Sequence, residues 1–219
     1  MKSLVTARLN VPFWCSFRMP YTINVNFSYP VPPPTTLFGL VGCALGIPAD
    51  HYDLMSQLQI NVGLEAEGDI IETYSRIIKR DSRNPDRRTL LIRQKLLQPQ
   101  FRMYLLAEDR LAQQIAAALI NPVYPLSLGE SDDLVEIDQV EMHAESKEQA
   151  TVLHGALPVE TGVKPTNESQ TVYLPIGFKM AKGKRSWTGV EYRTFYLAPK
   201  LELDQPLEAW VAGNRRVVF

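Results

Sequence analysis

The sequence lacks the signatures of several large enzyme classes. Its 219 residues include only two cysteines and three histidines, and none stands in a metal-ligand spacing such as H-E-x-x-H or C-x-x-C. The motifs G-x-x-x-x-G-K-S/T and G-x-S-x-G are also absent, so nothing supports nucleotide hydrolysis or nucleophile-elbow chemistry. We therefore expect neither a metal nor another cofactor, and the motifs predict no catalytic residues.

Long apolar runs are scarce as well. The longest covers residues 37–48, whereas a bilayer-spanning helix needs about 18 or more apolar residues. The first ten residues have no basic segment followed by an apolar block, which is unlike a signal peptide. Cys15 and Cys43 lie in apolar surroundings, which indicates buried free thiols rather than a disulfide. These features predict a cytoplasmic protein without membrane contact.

Charge is strongly segregated, although the net charge is only −1. Residues 76–102 contain nine basic and two acidic residues, whereas residues 130–170 contain ten acidic and two basic ones. Most of the basic residues are arginines, whose planar fork suits phosphate, so a polyanion is a plausible partner. A solvated hairpin face is the alternative. The acidic segment fits either a solvated flank or a surface that docks another protein.

Hydrophobic periodicity predicts an α+β protein. Helices are expected at residues 37–45, with Thr35 or Thr36 as N-cap, and at residues 108–120. Strands are expected at residues 3–13, 58–66, 70–79, 89–97, 101–107 and 134–142, with a turn at Asn84, Pro85 and Asp86. This order is that of a ferredoxin-like (RRM-like) domain at residues 1–145, with an inserted basic β-hairpin and a small β-rich appendage at residues 146–219.

The first predicted helix follows a stiff, proline-rich segment at residues 29–34 and contains Gly39 and Gly42, with Gly46 at its end. Each helical glycine costs about 1 kcal/mol relative to alanine, so the pattern predicts that another backbone approaches closely. A role in binding phosphate is compatible with such close packing. The free N–H groups at the start of such a helix attract phosphate, and glycines would leave a path to them.

Residues 16–46, SFRMPYTINVNFSYPVPPPTTLFGLVGCALG, carry a resemblance to a known family. The combination of Phe17 and Arg18, the proline-rich segment, Thr35 and Thr36, and the glycine helix resembles the fifth CRISPR-associated protein family. Members of this RAMP-superfamily family hold the 5′ handle of the guide RNA in type I Cascade complexes. A second similar segment is residues 121–137, NPVYPLSLGESDDLVEI. Size and element order extend the resemblance over the whole chain.

The resemblance implies that the inserted hairpin, at about residues 76–95, is a thumb that bends guide RNA beside a backbone subunit. It also implies docking of the large subunit and indirect contact with target DNA. Many relatives carry a basic residue after the glycine equivalent to Gly129, but this chain has Glu130. The predicted RNA contacts, including a weaker candidate segment at residues 184–185, are Arg18, Tyr29, Thr35, Thr36, Arg76, Lys79, Arg80, Arg83, Arg87, Arg88, Arg93, Lys184 and Arg185.

Two alternatives stay open. In one subtype the family member itself cuts precursor RNA, using a tyrosine and an adjacent lysine and histidine. The nearest approach here is His143 and Lys147, which are not adjacent, so we predict a non-catalytic subunit. A metal-independent ribonuclease leaves little sequence trace, however. The other alternative is an unrelated ferredoxin-like module that binds proteins and carries a merely solvated basic hairpin.

Overall fold

The computed structural model describes residues 1–22, 25–48, 53–81, 84–180 and 187–219. The helices are α1 (Pro34–Leu45), α2 (Leu54–Gln57) and α3 (Asp109–Ile120), with a 3-10 turn at Val159–Thr161. The strands are β1 (Lys2–Asn10), β2 (Trp14–Cys15), β3 (Val25–Asn26), β4 (Leu58–Ala66), β5 (Asp69–Asp81), β6 (Asn84–Leu97), β7 (Gln100–Glu108), β8 (Glu136–Ala144), β9 (Lys147–Leu153), β10 (Leu157–Pro158), β11 (Gln170–Met180), β12 (Trp187–Leu197), β13 (Leu201–Ala212) and β14 (Arg215–Val217).

A four-stranded antiparallel sheet organises the first half of the chain. Its strand order is β4-β7-β1-β8, and β1 pairs with β7 on one side and β8 on the other. Helices α1 and α3 contact each other and pack on this sheet. The burial of Val5, Ala7 and Leu9 in β1 and of Leu37 and Ile115 in the two helices joins them in one apolar core. Apolar burial of this kind is the main force that holds the layers together.

A long hairpin, β5–β6, leaves this core between β4 and β7 in the sequence. Its pairing runs from Asp69 and Leu97 at the base to Asp81 and Asn84 at the far end. Strands β2 and β3 flank β6 near its base only. The turn predicted at Asn84, Pro85 and Asp86 is wrong, because these residues already belong to β6. Asn84 pairs with Asp81, and the register shifts opposite Pro85 and Asp86, where proline has no N–H to donate to the ladder. Residues 82–83 lie outside the described residues.

The later strands form two further sheets, ordered β10-β12-β11 and β14-β13-β9. Val172, Leu174, Phe195 and Leu197 of β11 and β12 join the same apolar cluster as β1 and α1. The Asn61 side chain of β4 also bonds Ala156, accepting from its N–H at 2.9 Å and donating to its C=O at 2.7 Å. The residues after 145 therefore pack on the first sheet and its helices. The division into domains at residue 145 stays a prediction.

Helix α1 differs from the prediction in two ways. Its N-cap is Pro33 and its first residue is Pro34, so Thr35 and Thr36 lie inside the first turn and neither caps the helix. Proline suits this first position because its missing N–H would have no helical partner there. A Cβ atom added at Gly39 or Gly42 would meet no heavy atom within 4 Å. The predicted close packing is therefore wrong at Gly39 and Gly42. At Gly46, by contrast, a Cβ would lie 3.0 Å from the Val123 side chain, and the Val123 N–H donates to the Ala44 carbonyl at 3.0 Å.

Two smaller expectations concern the thiols and the membrane. Cys15 and Cys43 are both free, but only Cys15 is buried, and Cys43 is partly exposed. Burial raises the pKa of the Cys15 thiol, which keeps it protonated. None of the helices in the described part of the chain combines the length and apolar character that crossing a bilayer requires.

Candidate nucleic-acid interface

A cavity of about 260 Å³ lies at the start of α1. Its walls come from the segment before Pro20, the proline-rich segment, the loop after α3, and strands β11 and β12. It is lined by Ser16, Phe17, Arg18, Pro20, Tyr29, Pro33, Thr35, Thr36, Gly129, Glu130, Pro175, Phe178, Val190 and Tyr192. Four residues that the sequence singled out for RNA binding therefore meet here: Arg18, Tyr29, Thr35 and Thr36.

A second cavity of about 310 Å³ continues from the first along α1. It shares Thr35, Thr36 and Gly129 with the first cavity and adds Gly39 and Cys43. The open space over Gly39 thus leads to the N-terminal end of the helix. That end carries partial positive charge, which suits an anion. Pro33 and Pro34 have no N–H group, and those of Thr36 and Leu37 donate to the Pro33 carbonyl, so the Thr35 N–H is the backbone donor left for a ligand among these residues. The two threonine hydroxyls beside it can also donate to phosphate oxygens.

Tyr29 lines the first cavity with its ring only 2% exposed. Its hydroxyl lies near the phenols of Tyr21 and Tyr192, yet makes no hydrogen bond of good geometry to any described residue. Burial, followed by the two neighbouring phenols, raises the pKa of Tyr29, so the group stays a neutral donor. Because its ring is covered, Tyr29 offers no face on which an unpaired base could stack. Its hydroxyl is the group with unused hydrogen-bonding capacity.

The base of the hairpin is joined to the loop after α3 by four charged side chains. The ammonium of Lys95 donates to Asp133 Oδ1 at 2.7 Å and to Glu130 Oε2 at 2.9 Å. The Arg93 Nη1 atom donates to both Glu130 oxygens, at 2.9 and 2.8 Å. Burial lowers the pKa of Lys95, but Asp133 and Glu130 outweigh it, and the net shift is upward. Lys95 is therefore a charged structural residue rather than part of an open basic surface.

The backbone of this loop fixes where Glu130 points. Gly129 has φ of +116°, and a Cβ there would lie 2.5 Å from the Ser16 carbonyl oxygen. The Asp133 Oδ2 atom accepts from the N–H groups of Ser16 at 2.9 Å and Glu130 at 3.1 Å. Glycine is thus required by both conformation and space. Carboxylate oxygens of Glu130, Asp132 and Asp133 lie within 4.8 Å of one another, but Lys95 and Arg93 already neutralise two of the three groups.

The hairpin presents a mixed basic and apolar face. Arg76 lies opposite Leu90, and Ile78 lies opposite Arg88, and directly opposed residues share one face of an antiparallel pair. Both arginines are exposed, and Tyr74 on the same face is 70% exposed. A ring and two guanidinium groups are therefore available to an RNA strand. The predicted contacts at Lys79, Arg80, Arg83, Arg87, Lys184 and Arg185 have side chains outside the described residues.

Sequence reasoning overstated how much of the basic segment is free. Arg93 and Lys95 are paired as above. Arg102 is 5% exposed and donates to Glu65 at 2.8 Å and Gln139 at 2.6 Å. The sequence also gave no indication of Tyr192 in β12, which lines the first cavity. The sequence contains no local signal for these ion pairs, because the paired residues are 35 to 38 positions apart.

The residues considered for cleavage chemistry lie elsewhere. His143 is close to Glu141 and Thr6, at 3.5 Å from each. The Lys147 ammonium pairs with Glu208 at 2.7 Å and lies 5.0 Å from the centre of the Trp210 ring. His154 accepts a hydrogen bond at Nδ1 from the Arg216 N–H, and burial and nearby arginines lower its pKa. Neither described histidine lines the two cavities at α1, and His51 lies outside the described residues.

Comparison with known proteins identifies the family. A sequence model of the family described as CRISPR-associated protein (Cas_Cas5) matches residues 6–217. The chain belongs to the Cas5 family. The resemblance seen at residues 16–46 is therefore confirmed over nearly the whole chain. No curated protein matches this Cas5 family member.

Solved structures similar to this Cas5 family member agree in fold. A chain of a CRISPR RNA-guided surveillance complex has a TM-score of 0.60 at 14% identity, with 91% of each chain covered. A CRISPR protein from Archaeoglobus fulgidus gives 0.60 at 13% identity, covering 99% of this chain and 98% of that one. A chain of the type III-B Cmr-beta complex bound to cognate target RNA and AMPPnP gives 0.56 at 10% identity, covering 90% and 86%. The fold is thus mixed and sheet-rich, similar to those of CRISPR-associated proteins.

Proposed function

We propose that this Cas5 family protein is the non-catalytic subunit of a type I Cascade surveillance complex that binds the 5′ handle of the guide RNA. The observation that carries the proposal is the cavity at the start of α1, where Arg18, Tyr29, Thr35 and Thr36 meet beside the base of the hairpin. Family membership and the surveillance-complex chain of similar fold support it.

The proposal also assigns a specific fold to the first part of the chain. The order β1, α1, β4, β7, α3, β8 and the sheet order β4-β7-β1-β8 support a ferredoxin-like (RRM-like) domain. The hairpin β5–β6, inserted between β4 and β7, then acts as the thumb. Unlike RRM domains that stack bases on the open sheet face, this sheet has buried Leu4 and Tyr104 in a cluster with Ala212 and Val217 of the later strands.

The mechanism is binding rather than turnover. A phosphate of the handle would sit at the start of α1, accepting from the Thr35 N–H, the hydroxyls of Thr35 and Thr36, and Arg18. The Tyr29 hydroxyl would exchange its poor contacts with the phenols of Tyr21 and Tyr192 for a hydrogen bond to the RNA. Further along the strand, Arg76 and Arg88 would neutralise phosphates, and Tyr74 would stack on an unpaired base.

Other subunits would complete the interface. The hairpin exposes Ile78 at 62% and Leu90 at 66%, which offers apolar surface to a Cascade backbone subunit. The acidic segment at residues 130–170 is the candidate surface for a large subunit. Contact with target DNA would be indirect, through the assembled complex.

The test is binding of a labelled 5′-handle RNA, followed by fluorescence anisotropy at several salt concentrations. Replacing Arg76 and Arg88 by alanine should weaken binding and reduce the slope of log affinity against log salt by about 0.7 for each lost phosphate contact. Arg110→Ala, at an exposed arginine on α3, is the matched control and should change neither quantity. If the double variant binds with unchanged affinity and slope, the hairpin does not contact the handle.

The same preparation tests the endoribonuclease alternative. Incubation with unprocessed repeat RNA in the absence of metal should leave the RNA intact. Specific cleavage within the repeat, at a rate proportional to protein concentration, would contradict the non-catalytic assignment. Absence of RNA binding even after coexpression with guide RNA would favour a module that binds only proteins.

A further inference from the structure

Glu130 lies where the base of the hairpin meets the first cavity, at the start of α1. It lines the cavity with Arg18 and Tyr29, and its carboxylate also faces Arg93 and Lys95 of β6. Together with Asp133, the four side chains carry two positive and two negative charges. The local charge of the hairpin base is therefore balanced within the protein, although the sequence there is strongly basic.

The two halves of this network differ in access. The side chains of Lys95 and Asp133 are 7% and 0% exposed, and Asp133 is also held by two backbone N–H groups. Arg93 and Glu130 are 28% and 30% exposed. An RNA phosphate could therefore reach the partly exposed Arg93, whereas the pair of Lys95 and Asp133 is closed to it.

Arg93 is incompletely satisfied by its partner. Glu130 engages only Nη1, and Nε is buried without a hydrogen-bond partner among the described residues. An RNA phosphate offers the guanidinium the same pair of anionic oxygens that the carboxylate offers. Both anions could not occupy the site without strong repulsion at this distance.

We infer that Glu130 takes the position of an RNA phosphate on Arg93 and so excludes the guide from the base of the hairpin. This deepens the proposed function and rests on it. The handle then runs from the start of α1 to Arg76 and Arg88 on the outer hairpin, without contacting Arg93. Glu130 thus determines the path of the strand, and it lowers the number of phosphates that the subunit neutralises.

The experiment compares four forms in the same salt titration with handle RNA: the unmodified chain, Arg93→Ala, Glu130→Gln and the double variant. Glutamine keeps the length of the side chain, and Lys95 keeps Asp133, so one cation alone is released. We expect Arg93→Ala to bind within about two-fold of the unmodified chain. Glu130→Gln should bind more tightly and steepen the salt slope by about 0.7, one single-strand phosphate contact, and the double variant should return to the original slope.

Each outcome decides between the two proposals. If Arg93→Ala alone weakens binding and flattens the slope, Arg93 already contacts RNA and the inference fails while the proposed function stands. A folded Glu130→Gln protein with an unchanged slope also overturns it, and melting curves of all four forms establish folding. Arg93→Ala provides the answer if Glu130→Gln does not fold. If the unmodified chain binds no RNA but Glu130→Gln does, the exclusion is supported and the proposed function of the free subunit fails, and if neither binds, both fail.

Discussion

The ammonium of Lys95 lies 2.7 Å from a carboxylate oxygen of Asp133, in a pair whose side chains are 7% and 0% exposed. The pair joins strand β6 of the hairpin to the loop that follows α3. Asp133 accepts a further hydrogen bond from the Ser16 N–H, so three segments of the chain meet at one carboxylate. The hairpin is therefore anchored by buried charge at its base, while its outer part is free to contact partners.

Removing one member of this pair should destabilise the fold strongly. We expect Lys95→Met to lower the free energy of unfolding by about 3–5 kcal/mol, because it leaves Asp133 buried without its counter-charge. Urea unfolding measures the change. The control is Lys200→Met, which breaks the exposed pair with Glu202 and should cost about 1 kcal/mol or less. Equal effects of the two variants would contradict a structural role for Lys95.

Two glycines should respond oppositely to alanine. Gly129→Ala places a Cβ 2.5 Å from the Ser16 carbonyl oxygen at a φ of +116°, so we expect a loss of about 2 kcal/mol or more. Gly39→Ala meets open space on α1 and should stabilise the protein by up to about 1 kcal/mol, because alanine favours the helix. Thermal unfolding of both variants checks the signs. Destabilisation by Gly39→Ala would show that its surface is packed in solution.

Tyr29→Phe should separate binding from stability. The substitution removes a hydroxyl that lacks a good hydrogen bond in the free protein, so the melting temperature should stay the same or rise slightly. Handle affinity should fall about five-fold, the equivalent of one hydrogen bond of about 1 kcal/mol. Tyr173→Phe, at an exposed ring outside the two α1 cavities, is the control. Unchanged affinity in Tyr29→Phe would remove this hydroxyl from the interface.

The pair of Arg8 and Asp138 predicts a specific acid dependence. The Arg8 hydrogen bonds, at 2.7 and 2.6 Å, hold the pKa of Asp138 below its usual value of 3.8. A lowered folded-state pKa contributes stability that is present above about pH 3.8 and is lost as the pH falls through the folded value. Arg8→Met should therefore reduce the stability difference between pH 6 and pH 3. An unchanged acid profile would show that the pair contributes nothing in solution.

Local patterns in the sequence were enough to predict most elements. The periodicity of residues 108–120 predicted a helix that the structure places at Asp109–Ile120, and residues 58–66 form β4 as predicted. The residues of segment 16–46 also sufficed to identify the family, which the match over residues 6–217 confirms. These predictions succeed because helix and strand periods and short motifs depend on residues close together in the chain.

Contacts between residues far apart in the sequence could not be predicted from such local patterns. Asn84, Pro85 and Asp86 predicted a turn, but β6 already begins at Asn84, which pairs with Asp81 of β5, because strand pairing outweighs a local preference. Glycines in α1 predicted close packing, yet only the tertiary arrangement decides which face of a helix is covered.

Local residue patterns were sufficient to give the family, the main elements and a basic segment inserted between two core strands. Which of those charges are available to a partner depends on the folded chain. Arg93 and Lys95 look like free cations in the sequence, but the fold brings Glu130 and Asp133 to within 2.9 Å of them. Arg76 and Arg88 stay exposed on the outer hairpin. The energy of an electrostatic interaction depends on the distance between the charges, and residues 35 or more positions apart in the sequence come close together only when the chain folds.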